Sequence, residues 1–553
     1  MTEQFELKTW QRIRRFAVPP GMIAACQARR EAGDWRGALA AARVDTDIDL
    51  DAVAGRFGAQ TADRIAGELA GLAPDLLRWH LPRALGGRTS LATGLIFTLA
   101  TRTGPVDPDT AVLRVELPKT VDGSQRLRLT VAKLDDVVAR ELPGHLWHAD
   151  EAPGLRAAYG GSAHRLPFLT RDGAPVPADA FAAALGDDAP ARAERAAAHL
   201  AADRLVEAWA EAGLTLDEEL PAYRSGYYQV TRAHVSQERL HLVALAPAVR
   251  ALARRHDAGG VLLEPNWRLR LLFTPDGDTV RVRMLDQDDH RGELPKLTEP
   301  VYRVPPDLEL LRAGMLTPAE LHPLVRAALF PQEPPDTPAP RGPRFGPVRV
   351  RCRGRWHRVD NTGGRLTPLD HTPEEVQREQ ALRALGGKVA GCFAAEQGWR
   401  DGKTRLPREL RAQRRELMQT ILHGDTQTLL ELLDAGLDPF VRDGRGSTLL
   451  HLLRCLDHEV LLPRLLAAGL PVDARDHRQR TPLHVAVGWV GSPSLVRALL
   501  EAGADPRAED DNRTSVAELI EYKAMDFYDD DIQAEAQQDL NLIKKYIEER
   551  TAA

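Results

Sequence analysis

Cysteine is scarce in this chain: four residues, Cys26, Cys352, Cys392 and Cys455, scattered over 553 positions with no Cys-x-x-Cys pair. That pattern excludes a disulfide-stapled secreted scaffold and reads as reduced, mostly buried thiols. Long apolar runs are missing as well. The least polar stretch, 89–100, is too short to span a bilayer, and the N-terminus, with Glu3 and Glu6, has no apolar segment of the signal-peptide kind. A cytoplasmic location is the expectation. Aromatic residues make up only 5%, so the cores rest on aliphatic side chains. Lysine is nearly absent, with nine among 73 basic residues. Together with abundant alanine, this bias is associated with GC-rich bacterial genomes.

A length of 553 residues exceeds what one core can fill, which gives a multidomain chain. Residues 1–90 read as helical, with an alanine-rich stretch from 22 to 44 and a turn at Gly33-Asp34-Trp35. That turn is similar to the one between helices of a tetratricopeptide repeat, but no second copy follows at a period of 34, and a plain helical hairpin is expected. Residues 91–330 read as an α+β region of one or two domains. Period-two patterning marks strands at 95–100, 111–117, 127–132, 227–233 and 240–245, and a hairpin at 267–273 and 280–285; residues 177–212 are helical. In that hairpin Leu269, Leu271 and Phe273 alternate with Arg268, Arg270 and Leu272, so one face is buried and the other largely wet. Residues 331–347 are dense in proline, a stiff linker. Beyond it, 348–412 read as a basic β-hairpin plus a helix running from Thr372-Pro373-Glu374-Glu375, a capping-box start, to about Arg400.

Three threonines, Thr448, Thr481 and Thr514, lie 33 residues apart, and the middle one opens Thr481-Pro482-Leu483-His484. Gly436, Gly469 and Gly503 recur where second helices end, and Ala502-Gly503-Ala504-Asp505 completes the word. Residues 413–522 resemble the ankyrin repeat, with two good units between two worn ones. The acidic end, 523–553, carries Leu540, Ile543 and Ile547 at helical spacing and reads either as a capping helix or as a surface helix. The resemblance implies a short C-terminal all-α solenoid behind the N-terminal helical and mixed α/β regions. It also implies structural roles for His451 and His484, and a protein partner held by fingertip turns and the concave face of the first helices. Those positions carry Arg475, His477, Arg478 and Arg480 on one finger, and Leu452, Leu456, Val485 and Trp489 on the inner helices, Trp489 serving either as an interface anchor or as packing filler.

Charge is unevenly distributed. Residues 341–415 hold 18 Lys/Arg against 8 Asp/Glu, and 416–553 hold 14 against 25. Arg349, Arg351, Arg353 and Arg355 with Trp356 could track a phosphate backbone and stack a base; docking on the acidic neighbour or simple solvation explains the same charge. Catalytic motifs are poor. Gly402-Lys403-Thr404 lacks the earlier glycine of a phosphate loop (Gln397 stands there), and Gly160-Gly161-Ser162-Ala163-His164 lacks the second glycine of a nucleophile elbow. Asp286, Asp288, Asp289 and His290 after a strand can hold a divalent cation, although aspartates also serve turns. No catalytic residue and no cofactor is assigned. The reading is an intracellular adaptor that binds a protein through its ankyrin-like stack. Two alternatives remain: a metal-assisted hydrolase or nuclease in 91–330 with the repeats as its targeting module, and nucleic-acid binding through 341–415. No membrane is expected.

Overall fold

The computed structural model describes residues 3–86, 88–100, 110–119, 121, 124–134, 140–176, 186–217, 224–225, 228–229, 235, 238–266, 269–285, 294–332, 343, 345–387, 389–488, 492–525 and 533–552. They divide into two compact bodies, 1–117 with 126–340, and 118–125 with 341–553.

The N-terminal body is built twice from one plan. Helix α1 (Glu3–Phe16) is followed by the hairpin α2 (Pro20–Glu31) and α3 (Trp35–Ala41), then strand β1 (Val44–Thr46) and helices α4 (Leu50–Phe57), α5 (Ala59–Gly71) and α6 (Pro74–His80). Antiparallel strands β2 (Ile96–Leu99), β3 (Ala111–Glu116) and β4 (Leu127–Lys133) come next. Strand β1 lies parallel to β4, and β5 (Glu141–Leu142) closes the other edge parallel to β2, giving the order β1-β4-β3-β2-β5. The second copy has a helical hairpin, Ala189–Ala201 and Leu205–Glu211, then β6 (Leu214–Leu216), a two-residue ladder of β7 (Arg224–Ser225) with β8 (Tyr228–Gln229), and helix Leu242–Arg255. Its meander β9 (Val261–Asn266), β10 (Leu269–Asp276) and β11 (Thr279–Met284) has β6 parallel to β11. Lys296 bridges parallel to Leu262 where β5 stands in the first copy.

The two copies keep a constant register. Trp35 and Leu205 open the second helices, and Val44 and Leu214 open the strands. The left-handed turn residues also match: Gly33 with Asp203 before those helices, and Arg43 with Gly213 after them, all at φ between 57° and 73°. The hairpin at 22–44 thus has its counterpart 170 residues on, not 34.

Several local rules explain these elements. Pro20, Pro74 and Pro190 sit in first turns, where a missing N–H costs nothing. Asp34 and Asp188 cap their helices by accepting from Gly37 N–H (2.8 Å) and Ala191 N–H (3.0 Å). In β11 Val280, Val282 and Met284 are buried between Thr279, Arg281 and Arg283. Two expectations need correction. Residues 240–245 are not a strand: Leu242 starts a 14-residue helix whose buried Leu242, Leu245, Ala246, Val249 and Ala253 follow a helical stripe. The second face of the hairpin is not uniformly wet either, because Leu272 is buried against Leu262 and Leu285. Of the expected strand at 227–233 only Tyr228–Gln229 is described, and Arg268 lies outside the described residues.

At the centre of this body Asp307 is fully buried. It pairs with Arg14 and accepts from Trp79 Nε1–H (2.9 Å) and Tyr159 O–H (3.0 Å), while Arg14 also donates to the Trp79 carbonyl at 2.7 Å.

In the C-terminal body β12 (Val348–Cys352), β13 (Arg355–Asp360) and β14 (Thr367–Pro368) form a small antiparallel sheet. The helix expected to continue to Arg400 is two helices, Pro373–Ala384 and Gly391–Asp401, because Gly386 and Gly391 take left-handed φ of +76° and +62°. Four helix pairs follow: Arg408–Leu422 with Thr426–Asp434, Leu449–Cys455 (a 3-10 helix) with His458–Ala467, Pro482–Gly488 with Pro493–Glu501, and Val516–Met525 with Gln533–Ala552. Gly436, Gly469 and Gly503 end second helices at φ near +100°, +91° and +93°, conformations that a Cβ would strain. Ile543 and Ile547 of the last helix are buried in the same core as Val516, Leu499 and Val348.

Candidate protein-binding surface

The turns between helix pairs repeat one hydrogen-bonded circuit. Asp443, Asp476 and Asp510 each fold a turn over their own carboxylate. Asp443 Oδ1 accepts from Arg445 and Ser447 N–H (both 2.8 Å), Asp476 Oδ1 from Arg478 (2.8 Å) and Arg480 N–H (2.9 Å), and Asp510 Oδ1 from Asn512 (2.9 Å) and Thr514 N–H (3.0 Å). Arginines tie each turn to the next. Arg442 Nη1 donates to the Gly446 and Arg475 carbonyls at 2.6 and 2.7 Å, and Arg475 repeats this with the Gln479 and Glu509 carbonyls. Backbone bonds from His477 N–H to Arg445 O (2.9 Å) and from Asp511 N–H to Arg478 O (3.0 Å) link the fingertips.

Beneath the turns, Thr448 and Thr481 start the first helices. The Thr448 N–H donates to His451 Nδ1 (3.1 Å), whose Nε2 reaches the Arg480 carbonyl (3.0 Å); Thr481 and His484 repeat this with the Thr514 carbonyl. Each histidine therefore accepts at Nδ1 and donates at Nε2, which requires the neutral ring. Burial depresses the His451 pKa to about 4 and lowers that of His484. Burial pushes the Asp476 carboxyl upward, but bonds from Arg480 and the turn N–H groups outweigh it and hold the group below the ordinary range.

The structure assigns the expected contact residues to different tasks. Arg475 and Arg480 are spent internally, Arg475 as the tie just described and Arg480 in a paired contact with Asp476 Oδ2 at 2.7 and 2.9 Å. His477 and Arg478 are exposed, the His477 ring lying close to Gly446 of the preceding finger, and the described residues give their side chains no hydrogen-bond partner. Leu452, Leu456 and Val485, expected on an apolar concave strip, are each about 4% exposed, because neighbouring helix pairs close over them. Trp489 lies outside the described residues. Sequence reasoning missed Phe440, which is 40% exposed on the first finger beside a hollow of about 300 Å³ lined with Leu470, Pro471, Arg400, Arg442 and Thr448. A periodic aspartate at 443 and 476 was the available signal for the fingers; nothing in the sequence marked Phe440.

Elsewhere, Arg349 and Arg351 lie exposed on the outer side of the β12–β13 hairpin with Trp356, 65% exposed, opposite Arg351, while Arg355 is exposed at the strand end opposite Cys352, on the other face. Arg353 is engaged by Glu379. Asp286, Asp288, Asp289 and His290 lie outside the described residues. The N-terminal body holds a cavity of about 1130 Å³ between its two copies, lined mostly by apolar atoms, with Glu141, His145, His241 and Lys296 at its wall. Glu141 is bound there by Arg255 (2.9 Å) and His256 (3.0 Å).

Residues 417–510 match the family model for ankyrin repeats in three copies. A putative ankyrin repeat-containing protein of Treponema pallidum (strain Nichols) is 29% identical over 93 residues, 17% of this chain and 31% of that protein. An ADP-ribosylation factor GTPase-activating protein of Arabidopsis thaliana is 39% identical over 74 residues, 13% of this chain and 9% of its own length. The chain spans less than a third of either relative.

Proposed function

The chain carries ankyrin repeats over residues 417–510, and we propose that they form a short solenoid whose fingers hold a partner protein, which makes the whole chain an intracellular adaptor. One observation supports this above the rest. The Asp–Arg circuit satisfies the finger backbone from within, and the side chains of His477, Arg478 and Phe440 stay exposed on it. An apolar side chain at a hollow beside a cation suits a partner surface that combines an apolar anchor with a carboxylate. Full-length protein in which Phe440→Ala, His477→Asp and Arg478→Glu are combined is expected to lose about tenfold or more of its partner from native extract without a change in melting temperature. Equal capture by that variant would move the contact off the fingers.

Two further readings each have a single support. The outward Arg349 and Arg351 with exposed Trp356 suit a nucleic-acid backbone and a stacked base. Reversing Arg349, Arg351 and Arg353 to Glu would then weaken salt-dependent binding of labelled RNA or DNA about tenfold or more; an unchanged shift removes this reading. The cavity near Glu141 suits a small, largely apolar ligand and is the support for an enzymatic N-terminal body.

A further inference from the structure

The four residues Cys352, His357, His371 and Cys392 come from four separate elements: the end of β12, the middle of β13, the turn after β14, and the first turn of helix Gly391–Asp401. No local motif joins them, yet one ligand-capable atom from each lies within 4.8 Å of every other. Cys352 and Cys392 are buried, and the histidines are half-buried beside them. From this convergence we propose that the chain binds one zinc ion through Cys352, His357, His371 and Cys392, in a closed structural site.

The geometry of the ligands supports this. A tetrahedral zinc with bonds of about 2.0–2.3 Å spaces its ligand atoms about 3.3–3.8 Å apart, so a cluster whose atoms all lie within 4.8 Å of one another needs shifts of about 1 Å or less to close on the ion. His357 Nδ1 and His371 Nε2 face each other at 2.9 Å. The other nitrogen of His371, Nδ1, lies 3.1 Å from Glu375 Oε2. A carboxylate there accepts a hydrogen bond from the Nδ1–H and so leaves the lone pair of Nε2 facing the cluster, which is the arrangement that outer carboxylates impose on zinc-bound imidazoles. The backbone is shaped for the same approach. Gly391 has φ of +62°, and a Cβ on it would lie 2.4 Å from Cys352 Sγ, so the helix carrying Cys392 can come down on Cys352 only with glycine at this position.

Ligand chemistry selects the ion. Two sulfurs and two imidazoles in a tetrahedral set favour zinc over magnesium or calcium, which take oxygen. Two thiolates and two neutral imidazoles cancel the charge of a divalent cation, so the complex can be buried without leaving net charge in the core. With four protein ligands no coordination position is open for substrate, so the role is to hold the fold. What it would hold is a sheet of three short strands, to which Val348, Val350 and Val359 supply most of the buried apolar side chains. A cation tying β12 and β13 to the next helix compensates for so little core. Binding displaces the two thiol protons to solvent, leaving both sulfurs as thiolates on the metal.

The test uses the full-length chain, purified under reducing conditions, loaded with zinc and dialysed. About one zinc per chain is expected by elemental analysis, and cobalt(II) exchanged into the site should show the intense visible bands of a tetrahedral thiolate complex. Cys392→Ser and His371→Ala should each bring metal to background, while Glu375→Gln should keep the stoichiometry and weaken affinity about 10–100-fold. If either ligand variant fails to fold, the cobalt spectrum of the unaltered chain decides. A chain that holds no zinc, a cobalt spectrum without sulfur ligation, or a Cys352–Cys392 disulfide found by thiol labelling would each overturn the site.

Discussion

Replacing Asp307 by alanine is expected to destabilise the N-terminal body by about 3–5 kcal/mol. The carboxylate has no solvent exposure and is the partner of Arg14, which is itself buried. Its removal leaves a guanidinium in the core, together with the Trp79 N–H and Tyr159 O–H that it accepted. An unpaired buried charge costs far more than the pair itself contributes. Combining Asp307→Leu with Arg14→Met should therefore recover most of the loss. Thermal melting with hydrogen exchange over α1 and α6 reads both results; a double variant no more stable than Asp307→Ala would show that the pair does more than satisfy its own charges. Burial by itself pushes the Asp307 carboxyl up, but Arg14 and the Trp79 bond outweigh it and hold the pKa below the ordinary value. A depressed carboxylate contributes stability above its unfolded pKa of about 4 and loses it as pH falls further. The contribution of Asp307 itself is therefore lost only below that pH.

In the repeats a histidine, not a carboxylate, carries the acid sensitivity. His451 has a folded pKa of about 4 against about 6.5 unfolded. Between these values the unfolded chain binds the extra proton, so stability is complete above pH 6.5 and falls as pH drops toward 4. The loss approaches about 3 kcal/mol from His451, and His484 adds to it with the same sign. The mechanism is geometric: a second proton on Nδ1 would face the Thr448 N–H that now donates to it. His451→Gln supplies the glutamine of an ordinary threonine capping box. That variant should keep the helix start and flatten the pH profile, as measured by the repeat melting temperature between pH 7 and 4. An equally steep profile in His451→Gln would assign the acid sensitivity elsewhere.

The parts of the fold that were legible from sequence were those in which neighbours along the chain share one role. Thr448 and Thr481 cap helices because their hydroxyls and backbone lie within three residues of the groups they bind. Gly436, Gly469 and Gly503 end helices because only φ is at stake. Even the alternation of Val348, Val350 and Cys352 with arginines predicted which side of β12 is buried. The failures share a cause. Leu242–Leu245 has the composition of a strand, and only packing of its whole helical stripe against the second sheet decides otherwise. Leu452, Leu456 and Val485 are apolar on inner helices, and no local rule says whether a neighbour or a partner covers them.

The duplication of the N-terminal body escaped for the same reason. Its copies share positions of turns and strands, such as Gly33 with Asp203 and Arg43 with Gly213, while the residues themselves differ. A left-handed turn accepts glycine, aspartate or arginine at some cost, so the conformation is kept where the letter is not.

The sequence by itself determined that residues 417–510 carry ankyrin repeats, because a 33-residue period and short-range capping are written in consecutive residues. Only the tertiary structure decided which side chains those repeats leave free, that Asp307 anchors a core drawn from positions 14, 79 and 159, and that two cysteines 40 positions apart converge with two histidines. Convergence of this kind depends on how strands and helices close on one another, and distance along the chain carries no record of it.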